Sequence, residues 1–397
     1  MIRINLFILI YCLNPFLITA QTESQIKLFE EVEGNVIYLT YSKSAQQTVR
    51  VISSENFESK NKIDQIYSNR QMIIFEDGTN ISLKENERII DVVGDNYLSE
   101  LDNSTTDNKI ISNYQLIENK FELVSSKQSS SIVSYNFLSN GNIIYSDLFE
   151  TYGSTIVMSN FKFEKLYSFS APQGFTSFVY TELSNLAILF ITYENLETHR
   201  LILVEKTSGL ELGNYEIKDI KGLPNKIVAN NSYLAFFVNG SLTCIDFRGE
   251  TIWKEEINKG SNLFQLSDDS NLFAMYISDS LKLFDYFSGR IFTGFKLHEE
   301  MNQWSNISFY TNYKYWEKTI KIYPLSDFDF IVFQGVWSYE EESSRFNWTY
   351  FNYIQFNHNG SLIKKEEFLM PSSNVNIYNS NQLHLVFTNN FCITNDK

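Results

Sequence analysis

The chain has 397 residues and a formal net charge of −15, with 32 Lys and Arg against 47 Asp and Glu. At 43% apolar and 20% charged residues it can fill a large core, and its acidity argues against nucleic acid or an anionic membrane as partner, since both need a cationic surface. Three Cys and four His exclude a disulfide-dense scaffold, while 33 Phe, 24 Tyr and only 5 Pro favour strands over long loops.

Residues 1–20 read as a secretory signal peptide. Arg3 supplies a cationic start, Leu6 to Leu13 an apolar run, Asn14-Pro15 a break, and Thr19-Ala20 a small-residue cleavage point before Gln21. That run falls short of the roughly 20 residues a bilayer span needs, and no later run reaches it. The mature chain is therefore expected to be secreted, periplasmic or extracellular, with no membrane span. Only Cys244 and Cys392 would remain after cleavage, and small buried apolar side chains are the plainer reading of both. Seven Asn-x-Ser/Thr sequons occur, at Asn80, Asn103, Asn230, Asn239, Asn306, Asn347 and Asn359. With 41 Asn and 66 Ser and Thr in the chain, chance alone gives about as many, so the motif by itself decides nothing.

Three segments align on a turn glycine: Ile202 to Ile217, Leu242 to Ile257 and Lys282 to Leu297. Gly209, Gly249 and Gly289 stand 40 residues apart, and each sits between two apolar strands where a tight turn needs positive φ. Less regular copies surround Asp77-Gly78, Asn140-Gly141 and Asn359-Gly360, and further pairs of short apolar runs precede the aligned hairpins. Four strands per repeat of about 40 residues describes a propeller blade. The expected fold is all-β: one β-propeller over 21–397, with seven or eight four-stranded blades. Candidate blades lie near 26–63, 64–130 (readable as two small ones), 131–172, 173–220, 221–258, 259–298 and 299–369. The last segment, 370–397, holds about three strands, and a strand near Gln25 to Glu30 could complete it.

At Leu242 to Ile257 the residues Asp246, Gly249 and Trp253 resemble the tryptophan-docking repeat of PQQ-like, quinoprotein-type β-propellers. In that family an acid starts the turn, a glycine makes it and a tryptophan docks between blades. The flanking repeats place Lys206 and Gly213, and Tyr286 and Thr293, at the Asp and Trp positions. The resemblance implies an exported propeller. The vicinal Cys pair and Ca²⁺-binding acids of the quinone enzymes have no counterpart here, so neither cofactor nor metal is expected. WD-type propellers are the nearest other relatives, without their recurring Gly-His and Trp-Asp pairs.

Catalytic residues are not evident. His199, His298, His358 and His384 lack a nucleophile-elbow context, and Asp268-Asp269, Asp327 with Asp329, and Glu340 to Glu342 follow no metal-loop spacing. Paired carboxylates in a propeller channel, brought together from different strands, would leave no spacing to read, so an extracellular carbohydrate-active or other hydrolytic enzyme stands as the alternative.

Four of the five tryptophans, Trp304, Trp316, Trp337 and Trp348, fall between residues 304 and 348. The blade holding them, about 299–369, is enlarged: Gly360 follows Gly289 by 71 residues. Trp304 and Trp316 read as packing residues. Trp337, Tyr339, Arg345, Trp348 and Tyr350 flank an acidic hairpin tip and are the expected binding residues. The expected function is a non-catalytic, monomeric binding or scaffold module for a protein or surface glycan.

Overall fold

The computed structural model describes residues 24–28, 35–56, most of 68–296 and of 315–369, and most of 376–395; for the strands within 24–41, 315–324, 333–353 and 366–395 it describes the backbone alone. Every described regular element is a strand, and the strands form eight four-stranded antiparallel sheets, the blades of a β-propeller. Two compact units divide them. Met1–Ser130 with Pro371–Lys397 holds three sheets, and Ser131–Met370 holds five.

Blade 1 runs from Asn35–Ser42 to Asn80–Ser82 and blade 2 from Glu87–Val93 to Lys120–Ser129. Blade 3 spans Ile132–Phe137 to Lys165–Ala171, blade 4 Ser177–Glu182 to Glu211–Ile217, and blade 5 Ile227–Ala229 to Thr251–Glu256. Blade 6 spans Leu263–Phe264 to Ile291–Lys296 and blade 7 Tyr315–Pro324 to Leu362–Leu369. Blade 8 takes three strands from the C-terminal segment, and Ser24–Leu28 adds the fourth by pairing with Phe391–Asn395. Among the described residues the count is thus eight, within the seven or eight expected. The boundary expected at residues 63 and 64 is displaced: Ser68–Phe75 is the third strand of blade 1, not the opening of blade 2.

Period-two alternation, with both faces covered, explains why the middle strands of blades 4 to 6 are largely apolar. In blade 4, Ile188 and Phe190 join a core with Leu234, Phe236 and Ile245 of blade 5. Their neighbours Leu189 and Ile191 face the other way, into a core with Ile144, Ile156 and Met158 of blade 3. Blade 6 repeats this, with Phe273 and Met275 packed on blade 5 and Leu272 and Ala274 on blade 7. A strand covered on both faces is apolar at nearly every position, as Leu186–Thr192 is up to its last residue. The outermost strands are exposed along one edge and carry charges, as in Thr251–Glu256.

The turn between third and fourth strands carries the repeat. Each such turn in blades 3 to 7 opens with a side-chain acceptor that caps its own amides or hydroxyl. Asp246 Oδ1 accepts from the Arg248 and Glu250 amides, at 2.8 and 2.9 Å. Asp285 Oδ1 accepts from Ser288 N and Oγ, at 2.6 and 2.7 Å, and Glu205 accepts from the Ser208 hydroxyl. Asn160 and Asn357 do the same in blades 3 and 7. Alignment on glycine had put Lys206 and Tyr286 at the acid's position. The acids are present one residue earlier, because Gly209 and Gly289 close turns one residue longer than Gly249 does.

These turns press on the fourth strand of the preceding blade. A Cβ on Gly289 would stand 2.8 Å from the Trp253 ring, and one on Gly360 would stand 3.0 Å from Phe292. Trp253 reaches the turn of the next blade, its Nε1–H donating to the Tyr286 carbonyl at 2.6 Å. The equivalent Thr293 hydroxyl donates to the Gly360 carbonyl at 2.6 Å, and the Tyr167 hydroxyl donates to Glu211 at 2.6 Å. In blade 4 the position is Gly213, and the Tyr215 ring lies against it. In blades 3 and 6 the interblade hydrogen bond therefore survives where the tryptophan does not.

Gly209 and Gly249 share positive φ, at 74° and 84°, but differ in room. A Cβ at Gly209 would overlap the Leu166 backbone, whereas at Gly249 the nearest atom is 3.4 Å away. Gly249→Ala should cost ~1 kcal/mol for its backbone conformation, and Gly209→Ala about 2–4 kcal/mol once overpacking is added. Urea midpoints of the two variants check this, and equal midpoints would contradict it.

Candidate functional site

The described candidate regions are the hairpin of blade 7 and the first turns of blades 3 to 7. The second and third strands of blade 7, Asp329–Glu340 and Ser343–Phe356, have 12 and 14 residues, against 6 each in blade 5. At ~3.4 Å per residue the difference is about 20–27 Å of extra strand. The base is anchored: Phe330, Val332, Ile354 and Phe356 are buried in a shared core with blade 6. The remainder continues past that core, paired along one side by Tyr315–Pro324.

Register brings most of the expected binding residues together. Trp337 pairs with Phe346, Ser338 with Arg345, Tyr339 with Ser344 and Gly335 with Trp348. A bulge between Gln334 and Gly335 then shifts the ladder, so Tyr350 pairs with Gln334 on the far side of it. Trp337, Tyr339, Arg345 and Trp348 thus lie within a few ladder positions of the tip, close enough for cross-strand neighbours to act together. Their side chains, with that of Tyr350, lie outside the described residues, as do Trp304 and His298 altogether. Trp316 pairs with Ser338 in the first strand.

The first turns hold carboxylates that follow no metal-loop spacing in sequence and are engaged across blades in the fold. Ser139 donates from both N and Oγ to Glu182 Oε2, each at 2.8 Å. Ser184 does so to Asp268, at 2.6 and 2.5 Å, and Ser267 to Asp327, at 3.2 and 2.7 Å. Asp269 accepts from Asn231 Nδ2 at 2.6 Å. Lys206 is buried beneath this row, its ammonium 2.7 Å from Ser139 Oγ and 3.1 Å from Glu182. Gln265 ties three blades at once, accepting from Thr181 Oγ1 and Ala229 N and donating to the Glu182 carbonyl. A readable signal existed: Leu138-Ser139-Asn140, Leu183-Ser184-Asn185, Leu266-Ser267-Asp268 and Leu325-Ser326-Asp327 repeat one pattern. Its spacing is uneven, so a search at 40 residues passes over it.

These groups hold backbone rather than present reactive atoms. A serine nucleophile needs a base free to take its proton. The Ser139 hydroxyl instead donates to Glu182 and accepts from the Lys206 ammonium. In blade 2 the buried Glu100 accepts from Arg88 and Lys109, both at 2.9 Å, and Glu87 from Ser99 and Tyr114. Burial, then the Glu87 contact, push the Tyr114 hydroxyl up to about 12. Cys244 is a free thiol buried between blades 5 and 6. Among the described residues no three His, Cys, Asp or Glu are grouped to hold a metal ion, and no helix is long and apolar enough to cross a membrane.

Of the histidines, His358 stands edge-on to Phe328, ring centres 4.9 Å apart. His199 opens the third strand of blade 4 fully buried, with Nε2 3.1 Å from the Ile220 carbonyl and Nδ1 3.1 Å from Thr192 Oγ1. A carbonyl only accepts, so Nε2 carries the proton and Nδ1 accepts from the Thr192 hydroxyl.

No protein-family model matches the chain, and no curated protein matches it. Solved structures do. The Dos1 propeller superimposes with a TM-score of 0.51 at 9% identity, over 94% of this chain and 95% of that one. A eukaryotic initiation factor scores 0.48 at 9% identity, over 86% and 89%, and Hsv2 from Kluyveromyces marxianus 0.47 at 11%, over 85% and 100%. At such identities the Dos1 likeness carries the propeller fold and nothing further.

Burial lowers the His199 pKa below its ordinary value. Protonation must place a hydrogen on Nδ1, against the Thr192 donor. The stabilisation is therefore complete above about pH 6.5 and is lost as pH falls below it. Urea unfolding from pH 7.5 down to 5 should show that loss, and His199→Gln should flatten it. An unchanged slope in the variant would assign the acid sensitivity elsewhere.

Proposed function

We propose that the protein is an exported, non-catalytic, monomeric β-propeller that serves as a binding or scaffold module for a protein or surface glycan. The observation that carries this reading is the hairpin of blade 7, whose strands of 12 and 14 residues exceed what a blade needs for packing. Trp337, Tyr339, Arg345, Trp348 and Tyr350 sit on that hairpin, and rigid amphipathic aromatics make strong anchors at low entropic cost. Kinship with PQQ-like propellers is supported by the acid-capped Asp246 turn, the glycine after it and the docked Trp253. Export is supported by the order Arg3, Leu6 to Leu13, Ala20. An enzymatic reading draws no support from the described carboxylates of the turns, which are engaged by backbone amides and hydroxyls.

Trp337→Ala and Trp348→Ala should each weaken capture of a native partner by about 1–3 kcal/mol while leaving the thermal midpoint nearly unchanged. Glycan arrays and pull-downs from the native host separate the two partner classes. A steep fall in the midpoint, with binding following only the folded fraction, would make these residues part of the core. N-terminal sequencing of native protein should begin near Gln21, and an intact Met1 on a cytoplasmic product would remove the export reading.

A further inference from the structure

Seven sequons are no more than chance supplies, so the motif cannot say where a glycan sits; the folded environment can. Four of the seven asparagines have described side chains, and they divide in two. Asn230 is 4% exposed, and its Nδ2 donates to the Ser270 carbonyl at 2.8 Å. Asn239 is exposed but held in left-handed backbone, φ 48°, with Nδ2 donating to the Lys221 carbonyl at 2.8 Å, and the Ser241 of its sequon is buried. In both, the nitrogen that a sugar must occupy is already a donor to main chain.

Asn80 and Asn359 are different. Asn80 is exposed at the start of Asn80–Ser82, the outermost strand of blade 1, and Ser82 is exposed with it. Asn359 is exposed at the tip of the Asn357 to Ser361 turn of blade 7. There Asn357 Oδ1 accepts from the Ser361 amide at 2.7 Å and Asn359 Oδ1 accepts from the same amide at 3.1 Å. These bonds engage the side-chain oxygen of Asn359 and turn its amide nitrogen to the other side. Beside this turn lie Phe292, Leu362 and Ile363, 39%, 45% and 60% exposed, an apolar surface that a sugar's apolar face can cover.

We infer that Asn80 and Asn359 are N-glycosylation sites and that Asn230 and Asn239 are not, a reading that rests on export of the chain. The donor class is an oligosaccharide on a lipid pyrophosphate. Asparagine Nδ2 attacks the anomeric carbon, the bond from that carbon to the phosphate oxygen breaks, the lipid pyrophosphate leaves with the electron pair, and one Nδ2 proton is released. A glycan placed on Asn230 before folding would displace the Ser270 contact and hold blades 5 and 6 apart, so folded, secreted molecules carry none there.

The test uses the full chain in a eukaryotic secretory host, once with its own leader and once with a strong heterologous leader. Secreted protein is treated with a peptide N-glycosidase in heavy-oxygen water and mapped by mass spectrometry. Expected is label at Asn80 and Asn359 and none at Asn230 or Asn239. Ser82→Ala and Ser361→Ala, which keep both asparagines and all backbone donors, should each remove one glycan. Secreted protein bare at Asn80 or Asn359, or labelled at Asn230 or Asn239, overturns the inference. Modification with the heterologous leader but not with the native one overturns the export reading alone and leaves the two sites standing.

Discussion

The contact that most of the larger unit depends on is the press of one blade's last turn against the last strand of the blade before it. Burial between blades is greasy and non-directional, so it brings sheets together without fixing how far they slide. The turn supplies the missing direction. A side-chain acceptor opens it, a residue of positive φ closes it, and the face so formed meets the preceding blade, with a side chain that hydrogen-bonds across from blades 3, 5 and 6. At the blade 5 to blade 6 junction the parts are Asp285, Gly289 and Trp253; at the next they are Asn357, Gly360 and Thr293. The first turns add a second lock, serine to carboxylate, with Gln265 spanning blades 4, 5 and 6.

Two locks at different places on the blade explain where variation is allowed. Middle strands of blades 4 to 6 are covered on both faces and are largely apolar. His199 is accommodated there by Thr192 and Ile220, since an unsatisfied polar group in that place costs about 1–3 kcal/mol. Outer strands face solvent along one edge and are free to change. The sequons at Asn80 and Asn359 lie at such positions, one on the outer strand of blade 1 and one in the turn that leads into the outer strand of blade 7.

Much of the fold was legible because a left-handed turn demands glycine, and Gly209, Gly249 and Gly289 keep a strict interval. What the interval hid is equally physical. Turns of two lengths moved Glu205 and Asp285 out of alignment with Asp246, and hydrogen-bonding equivalence let Thr293 and Tyr167 stand in for a tryptophan. The first blade was misdivided because its outer strand, Asn80–Ser82, has three residues and shows no period. Of the candidate site, the long hairpin of blade 7 was legible from the extra residues between Gly289 and Gly360. The first-turn carboxylates were not, since their meaning depends on serines from other blades, 43 to 84 positions away in sequence.

Hydrogen exchange on the Trp253→Phe variant tests the central account of interblade docking most directly. Phenylalanine keeps most of the packing on Gly289 and removes only the donor to the Tyr286 carbonyl. If docking couples neighbours, protection should fall both in Thr251–Glu256 and in the 285–290 turn of the next blade, while the Asn357 to Ser361 turn stays as it was. Faster exchange confined to Thr251–Glu256, with the 285–290 turn unchanged, would show that blades hold their positions by apolar burial alone.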